Sequence, residues 1–365
     1  MATVLDCIRR IPAHLGRMGE SYTERREAVF AYLAGENAAG VDKVVFIASG
    51  SSYNSAHMAK LFMKKYCRLQ VELKYPNMFV SYEAELELDS RAEESGRGRE
   101  VYVVISQGGE TRLVYEALEK IRAAGKPAIA ITADSDTSIS RLAGLHVDMG
   151  CGQEEFLYRT IGFSASTAAC CLLGMSIAAF NRTLDEEEES RILEDYQAMA
   201  GNLRRIEEQT EQWYRRHKFS LLRKNIVMLA GAGDLYPAAN EGDIKLMEMA
   251  PMVTRSFELE EFIHGPQNAF DGSMLFFLLH RRGEDDEKVR LIARFLKEKI
   301  GFCSVVGEEP GDSRDLGITP VSRCFFALEY VTVFQVLGYF IATDRGRDLG
   351  RGVNAVIADY IKKTL

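Results

Sequence analysis

The 365-residue chain contains no CxxC pair, no HExxH and no GxxxxGK[ST]. Its seven cysteines (Cys7, Cys67, Cys151, Cys170, Cys171, Cys303 and Cys324) are scattered and odd in number. That pattern argues against a disulfide frame and a zinc site, and reads as free thiols in a reducing cytoplasm. Without a Walker A sequence, nucleotide triphosphate hydrolysis is not expected. No apolar run reaches the ~18–20 residues of a membrane span, so no membrane partner is expected. The opening stretch MATVLDCIRRIPAHLGRMGE has neither an h-region nor a small-residue cleavage site, and nothing in it argues for export. Basic residues are in deficit, 45 Lys and Arg against 53 Asp and Glu, and no basic stripe carries aromatics. Nucleic acid is therefore not an expected partner. No residue pattern calls for a metal or a cofactor.

What remains is ordinary globular material, 47% apolar and 27% charged, enough for two domains or one large α/β unit. From residue 43 short apolar runs alternate with amphipathic stretches. KVVFIASG (Lys43–Gly50) reads as a buried strand ending in a small-residue turn, followed by a helix over Ser55–Tyr66. VELKYPN, Val101–Ser106, Pro127–Ala133 and Leu145–Gly150 read as four further strands. Between two of them Leu113, Ala117, Leu118 and Ile121 keep helical spacing, with Gly125 as a stop. Such alternation implies right-handed crossovers and a parallel sheet covered on both faces.

The same order recurs about 180 residues later. Asn225–Gly233, Met274–His280 and Phe302–Gly307 read as strands, and Pro237–Met249, Glu287–Ile300 and Phe325–Thr343 as helices. The expectation is α/β, with two doubly wound, parallel-sheet, flavodoxin-like subdomains in tandem. The boundaries read as 1–182 for the first with an N-terminal helical segment, 183–218 for a linking helix, and 219–365 for the second with a C-terminal tail. In the linker, Thr183 and Glu186 have the spacing of a capping box, and Ile192, Tyr196, Met199, Leu203, Ile206 and Trp213 keep near-heptad spacing. The acidic run Asp185–Glu189 reads as a solvated helix start rather than a partner site.

Two hydroxyl-rich loops follow strands, Gly50-Ser51-Ser52-Tyr53-Asn54-Ser55 and Ser106-Gln107-Gly108-Gly109-Glu110-Thr111. Loops of this kind lie at the carboxyl edge of a parallel sheet, and each opens a helix whose N–H groups favour an anion. Gly108 and Gly109 allow close backbone approach, while Ser52, Ser106, Gln107 and Thr111 are suited to donate to phosphate oxygens. Helix capping alone would explain one such loop; two on one sheet favour a phosphate. Gly231-Ala232-Gly233 is a GxG after a strand, but Tyr236 takes the place of the third glycine, so a dinucleotide fingerprint fails there. Glu241, Lys245 and Glu248 fall within roughly 60° of arc on a helix. An exposed Glu–Lys pair is the bland reading; a carboxylate held ionised beside an ammonium, ready to shuttle protons, is the functional one. Sixteen residues on (264 − 248) comes Glu260-Glu261-Phe262-Ile263-His264-Gly265-Pro266, where the histidine has the setting of a positioned acid/base.

These motifs together resemble the tandem sugar-isomerase (SIS) domain family. The chain is similar over nearly its whole length to the isomerase half of glutamine:fructose-6-phosphate amidotransferase, and to bacterial deglycases of 6-phosphorylated sugar–amine (Amadori) adducts. ASGSSYNSA resembles CGTSYNSG, SQGGET resembles SQSGET, and CGQEEFLYRTIGFSAS resembles ExxVASTKAFT. EGDIKLME matches EGxxKxxE, EEFIHGP matches ELKHGP, and Asp344 to Arg351 takes the place of the DxPRNLAK tail. By that resemblance Ser52, Ser106, Gln107 and Thr111, in loops shared with Ser51 and Gly108, would hold a sugar phosphate, with Thr160 nearby. Glu248 would move protons between C1 and C2, tuned by Glu241 and Lys245. His264 would open the ring, reaching in from the neighbouring subunit of a homodimer.

The departures are equally informative. The SIS-like region starts near residue 40 with no glutaminase segment before it, so glutamine is not the expected amine donor. Arg351 stands where the family's Schiff-base lysine stands, and a guanidinium stays protonated. Gly108 replaces a serine. A substrate that already carries nitrogen needs no enzyme amine, so the expectation is a deglycase that splits a 6-phosphorylated sugar–amine adduct to hexose 6-phosphate and free amine. The alternatives are a glucosamine-6-phosphate deaminase or aldose–ketose isomerase, with Lys362 or Lys363 supplying the amine, and a non-catalytic sugar-phosphate sensor. A sensor has no need of Glu248 and His264.

Overall fold

A computed structural model describes residues 2–36, 38, 40–88 and 99–365. The chain divides into two compact units: His14–Glu155, Ile161–Glu194 and Gly352–Leu365 form one, and Met1–Ala13, Phe156–Thr160 and Asp195–Arg351 the other. Helix α1 (Val4–Glu20) precedes α2 (Tyr22–Gly35).

The unit that begins at His14 is built on β1 (Val41–Ile47), β2 (Gln70–Lys74), β3 (Arg99–Ile105), β4 (Ala128–Thr132) and β5 (Leu145–Asp148), all parallel in the order β2-β1-β3-β4-β5. Its connections include α3 (Ser51–Phe62), the short turns α4 (Pro76–Met78) and α5 (Ala84–Glu87), α6 (Arg112–Ala123), α7 (Ser138–Leu142) and α8 (Ile161–Phe180). Side chains alternate across a strand, so Val45, Ile47, Tyr102, Val104, Ala128 and Ala130 share one face. They pack with Val114, Ala117, Leu118 and Ile121 of α6. Helices α3 and α8 pack together and reach β1 and β4.

The other unit repeats the plan. Strands β6 (Ile226–Gly231), β7 (Val253–Glu258), β8 (Met274–His280), β9 (Phe302–Gly307) and β10 (Leu316–Gly317) are parallel in the order β10-β9-β8-β6-β7. Renumbered within its own set, this is the order of the first sheet, which confirms two doubly wound subdomains. Helices α9 (Glu186–Leu222), α10 (Leu235–Met249), α11 (Asp286–Phe295) and α12 (Phe326–Asp344) complete the list. Phe276, Leu278, Cys303 and Val305 pack with Val289, Ile292 and Ala293 of α11. Tight helix contact in this unit rests on missing side chains: a Cβ on Gly242 would press into Phe334, and one on Gly338 into Met249 and the Lys245 carbonyl.

Three expectations are corrected. Thr183 is not the cap of α9; its hydroxyl donates to the Ala178 carbonyl at 3.2 Å, and Asp185 accepts the Glu188 N–H at 2.8 Å. The shorter Asp side chain directly before the helix reaches the third backbone N–H, as an N-cap must. Second, α8 and α12 are long and apolar enough to cross a membrane, yet they are buried along nearly their whole length as core helices. Serine, threonine and glycine in α8 had masked an uncharged 20-residue stretch. Third, β7 was not expected as a strand, because as an edge strand with alternately exposed residues VTRSFE lacks an apolar run.

Candidate functional site

In the unit of the first sheet, the two hydroxyl-rich loops leave adjacent strands. Gly50 takes φ +58°, open to a residue without Cβ, and turns β1 directly into α3, so Ser51 and Ser52 already lie in the first helical turn. Ser55 donates to the Ser51 carbonyl at 3.1 Å and to the Phe163 carbonyl at 3.3 Å, tying α3 to α8. After β3 the chain curls: the Gly109 N–H donates to the Ser106 carbonyl at 2.9 Å, and the Ser106 and Thr111 hydroxyls are 2.8 Å apart. Gly109 has φ +66°, and a Cβ there would strike Thr137. Glu110 accepts the Ser138 N–H at 2.8 Å, which makes it a brace of the loop.

Gln107 is the most informative residue of this loop. It is 8% exposed, its carbonyl accepts the Ala133 N–H, and its side-chain Nε2 is buried with no hydrogen-bond partner among the described residues. Its amide rests on Gly162, where any Cβ would come within 2.1 Å of Oε1. A buried amide donor without an acceptor costs about 1–3 kcal/mol and calls for an explanation. Beside it, the C-terminal segment lies antiparallel to the loop: the Arg112 N–H donates to the Lys363 carbonyl and the Leu365 N–H to the Glu110 carbonyl, both at 3.0 Å.

In the unit of the second sheet, Glu241, Lys245 and Glu248 do share a face of α10. Lys245 Nζ is 3.2 Å from Glu241 Oε1 and 3.1 Å from Glu248 Oε2. The Glu241 and Lys245 side chains are wholly buried, whereas Glu248 is 43% exposed. An exposed surface pair is thereby excluded. Burial works against the Lys245 charge, but the two carboxylates outweigh it and raise its affinity for a proton. Glu248 is thus a carboxylate with one oxygen on a permanent cation and open access to solvent. Asp243 braces the same helix against β7, accepting the Ser256 N–H at 2.9 Å and hydroxyl at 2.8 Å.

His264 follows β7 on a short 3-10 turn, Glu261–Ile263. Phe262 anchors that turn, fully buried against Phe257, Phe270 and Phe276. His264 Nδ1 lies 2.9 Å from the Glu260 carbonyl. A carbonyl only accepts, so Nδ1 carries the proton and Nε2 is left as the basic atom of the neutral ring. The imidazole is 60% exposed, and Glu260 is itself held by Lys288 at 2.5 Å.

Thr160, buried, belongs to this second unit, and its carbonyl accepts from Gln335 Nε2 at 3.2 Å. Gln335 and Gly338, the latter against the Lys245 carbonyl, are three residues apart on α12. Ser51, Ser52, Ser106, Gln107, Gly108 and Thr111 are gathered in one unit; Glu241, Lys245, Glu248, His264 and Thr160 in the other. Sequence reasoning missed Gln335, Asp243 and Glu154, whose carboxylate accepts the Gly162 N–H at 3.2 Å. Gln335 had a signal: a lone amide in the otherwise apolar run YVTVFQVLGYF. Among the described residues, no group of three His, Cys, Asp or Glu side chains is arranged to hold a metal ion.

Comparison with known proteins agrees with this architecture. The chain is 23% identical over 319 residues to the isomerizing glutamine–fructose-6-phosphate aminotransferase of Bacteroides thetaiotaomicron, covering 86% of this chain and 50% of that protein. It thus spans about half the length of the curated relatives it matches. A solved protein of Clostridium difficile 630 superposes with a TM-score of 0.89 at 20% identity, covering 100% of this chain and 99% of the other. The C-terminal domain of glucosamine-fructose-6-phosphate aminotransferase from Francisella tularensis superposes with a TM-score of 0.83 at 18% identity, covering 95% and 97%. The SIS domain profile matches residues 39–180 and 220–312, and the chain belongs to the SIS domain family.

Proposed function

We propose that this chain is a phosphosugar enzyme, a deglycase that converts a 6-phosphorylated sugar–amine adduct and water to hexose 6-phosphate and free amine. The observation that carries the reading is the buried row Glu241–Lys245–Glu248, which ends in one accessible, charge-anchored carboxylate. A surface helix gains nothing from burying an ion pair at such desolvation cost. A proton shuttle gains a carboxylate of fixed position.

The phosphate rests on Ser52, Ser106, Gln107 and Thr111, with Ser51 and Gly108 in the same two loops. The partnerless Gln107 Nε2 supports that assignment, since a phosphate oxygen would satisfy it. His264, supplied by a second copy of the chain in a homodimer, takes the ring hydroxyl proton and returns it to the ring oxygen, opening the sugar. Glu248 then removes a proton from C1, which bears the nitrogen, as the C2 oxygen takes up a proton to give an enolamine. Glu248 returns its proton to C2 as the nitrogen lone pair closes onto C1, and the N–H proton released balances the one taken up by oxygen. The C1–N bond becomes an imine; water adds at C1, and the amine leaves with the proton. No enzyme amine is required, in keeping with arginine at position 351.

The test is a panel assay following amine release and sugar interconversion with 6-phosphorylated fructosamine adducts, glucosamine 6-phosphate and fructose 6-phosphate. Amine release from an adduct faster than any other conversion is expected. Faster ammonia release from glucosamine 6-phosphate would replace the reading with a deaminase. Binding without turnover of any compound would make the chain a sensor.

A further inference from the structure

We infer that Tyr158, Arg347 and Arg351 form a carboxylate-recognition site for the amine half of the substrate, so that the adducts processed are those of amino acids linked through the α-nitrogen; this rests on the deglycase reading. Tyr158 is 6% exposed, and its hydroxyl donates to the Arg351 carbonyl at 3.0 Å and accepts from Arg347 Nη2. The Arg347 guanidinium also lies against the Tyr158 ring, 5.2 Å from its centre. These contacts fix the guanidinium yet leave Arg347 Nε buried with no hydrogen-bond partner among the described residues. A cation held in place with an unmet donor is suited to an anion.

Arg351 adds a second charge four residues on. Its side chain is 87% exposed and, among the described residues, pairs with Asp348 alone at 3.5 Å. The other acid of this segment, Asp344, is already engaged by Tyr214 at 2.9 Å and Lys218 at 3.4 Å. The third arginine, Arg345, donates to the Ala250 carbonyl at 2.9 Å and to the Lys224 carbonyl at 2.6 Å.

The position fits the same unit's acid/base row. Ala250 is the residue that ends α10, so Arg345 ties the exit of α12 to the end of the helix bearing Glu248. Tyr158 comes two residues before Thr160, which α12 holds through Gln335, one turn from the contact with Lys245. The carboxylate of an amino acid joined through its α-nitrogen lies two bonds from that nitrogen. It therefore travels with the reacting C1, whereas the phosphate is at the far end of the sugar. A planar guanidinium fork matches a carboxylate and offers nothing to an amine that lacks one.

The experiment compares kcat/KM for two 6-phosphorylated fructosamines that differ only in the carboxylate, the adduct of glycine and that of methylamine. The native chain is expected to prefer the glycine adduct by about 100-fold, as for a site built to pair a polar group. Arg347→Gln should cut that ratio to below about tenfold, chiefly through KM, and Arg347→Lys should fall between, keeping charge without the fork. Arg351→Gln, at an exposed side chain that the fold does not need, should lower the ratio by several-fold. Equal kcat/KM for the two adducts in the native chain, or an undiminished ratio in both glutamine variants, would overturn the inference while leaving the deglycase reading intact. Failure to split either adduct would overturn both.

Discussion

Lys245 Nζ stands 3.2 Å from Glu241 Oε1 with neither side chain exposed, one helical turn apart on α10. A buried pair of this kind is tolerated because each charge is the other's compensation. Lys245→Met removes the cation beside the buried Glu241 carboxylate and should destabilise the chain by about 3–5 kcal/mol. The double variant Glu241→Gln, Lys245→Met should recover most of that loss while remaining inactive. Urea unfolding of the three proteins measures both effects; equal stability of the single variant and the native chain would contradict the buried pair.

Gly162→Ala tests the seat of Gln107. The added methyl group would arrive within 2.1 Å of the Gln107 amide, which must then leave its place in the loop. Affinity for fructose 6-phosphate should fall about tenfold, and Gln107→Ala should fall by a similar amount. Since both act through one amide, the double variant should lose little more than either alone. Additive losses in titration calorimetry would show that Gly162 acts elsewhere.

The sheet-one unit should be acid-sensitive through His57. Burial, aided by the Lys60 charge, lowers its pKa from 6.5 to about 4. The unfolded chain then binds the proton more readily than the folded one, so stability is full above about pH 6.5 and declines as pH falls toward 4. The loss is on the order of 2–3 kcal/mol. His57→Gln should flatten the dependence of the urea midpoint on pH between 7.5 and 4.5. An unchanged slope in that variant would remove His57 from the account.

A site shared between subunits predicts complementation. Glu248→Gln and His264→Asn should each be inactive alone. Mixed after unfolding and refolding together, half the dimers are hybrids with one intact site, restoring about a quarter of native activity. No recovery in a mixture shown to contain hybrids would place both residues in one chain's site.

Much of this was legible from the sequence because period and chemistry coincide. Met274–His280 and Phe302–Gly307 have the bounds read from their apolar runs, since central strands buried on both faces leave no polar interruption. The row 241, 245, 248 follows from the helical period alone, but its depth does not: burial of Lys245 depends on α12, about 90 residues away, and on Gly338 that lets the helices close. Edge strand β7 and the Asp185 cap were missed because each is decided by local geometry, pairing to β6 in one case and side-chain reach in the other. The division of the chain between Thr160 and Ile161 has no composition signal, because Thr160 directly precedes Ile161, the first residue of α8, in the continuous stretch RTIGFSAS.

The most direct measurement follows deuterium from solvent into product when a 6-phosphorylated fructosamine is turned over in heavy water. Glu248 is open to solvent, so the proton it takes from C1 exchanges with heavy water before delivery. This predicts deuterium at C2 of the hexose 6-phosphate, and a fall in both exchange and amine release of at least about 10³-fold in Glu248→Gln, with phosphosugar binding retained. Amine release by Glu248→Gln at the native rate, with deuterium still entering C2, would contradict it.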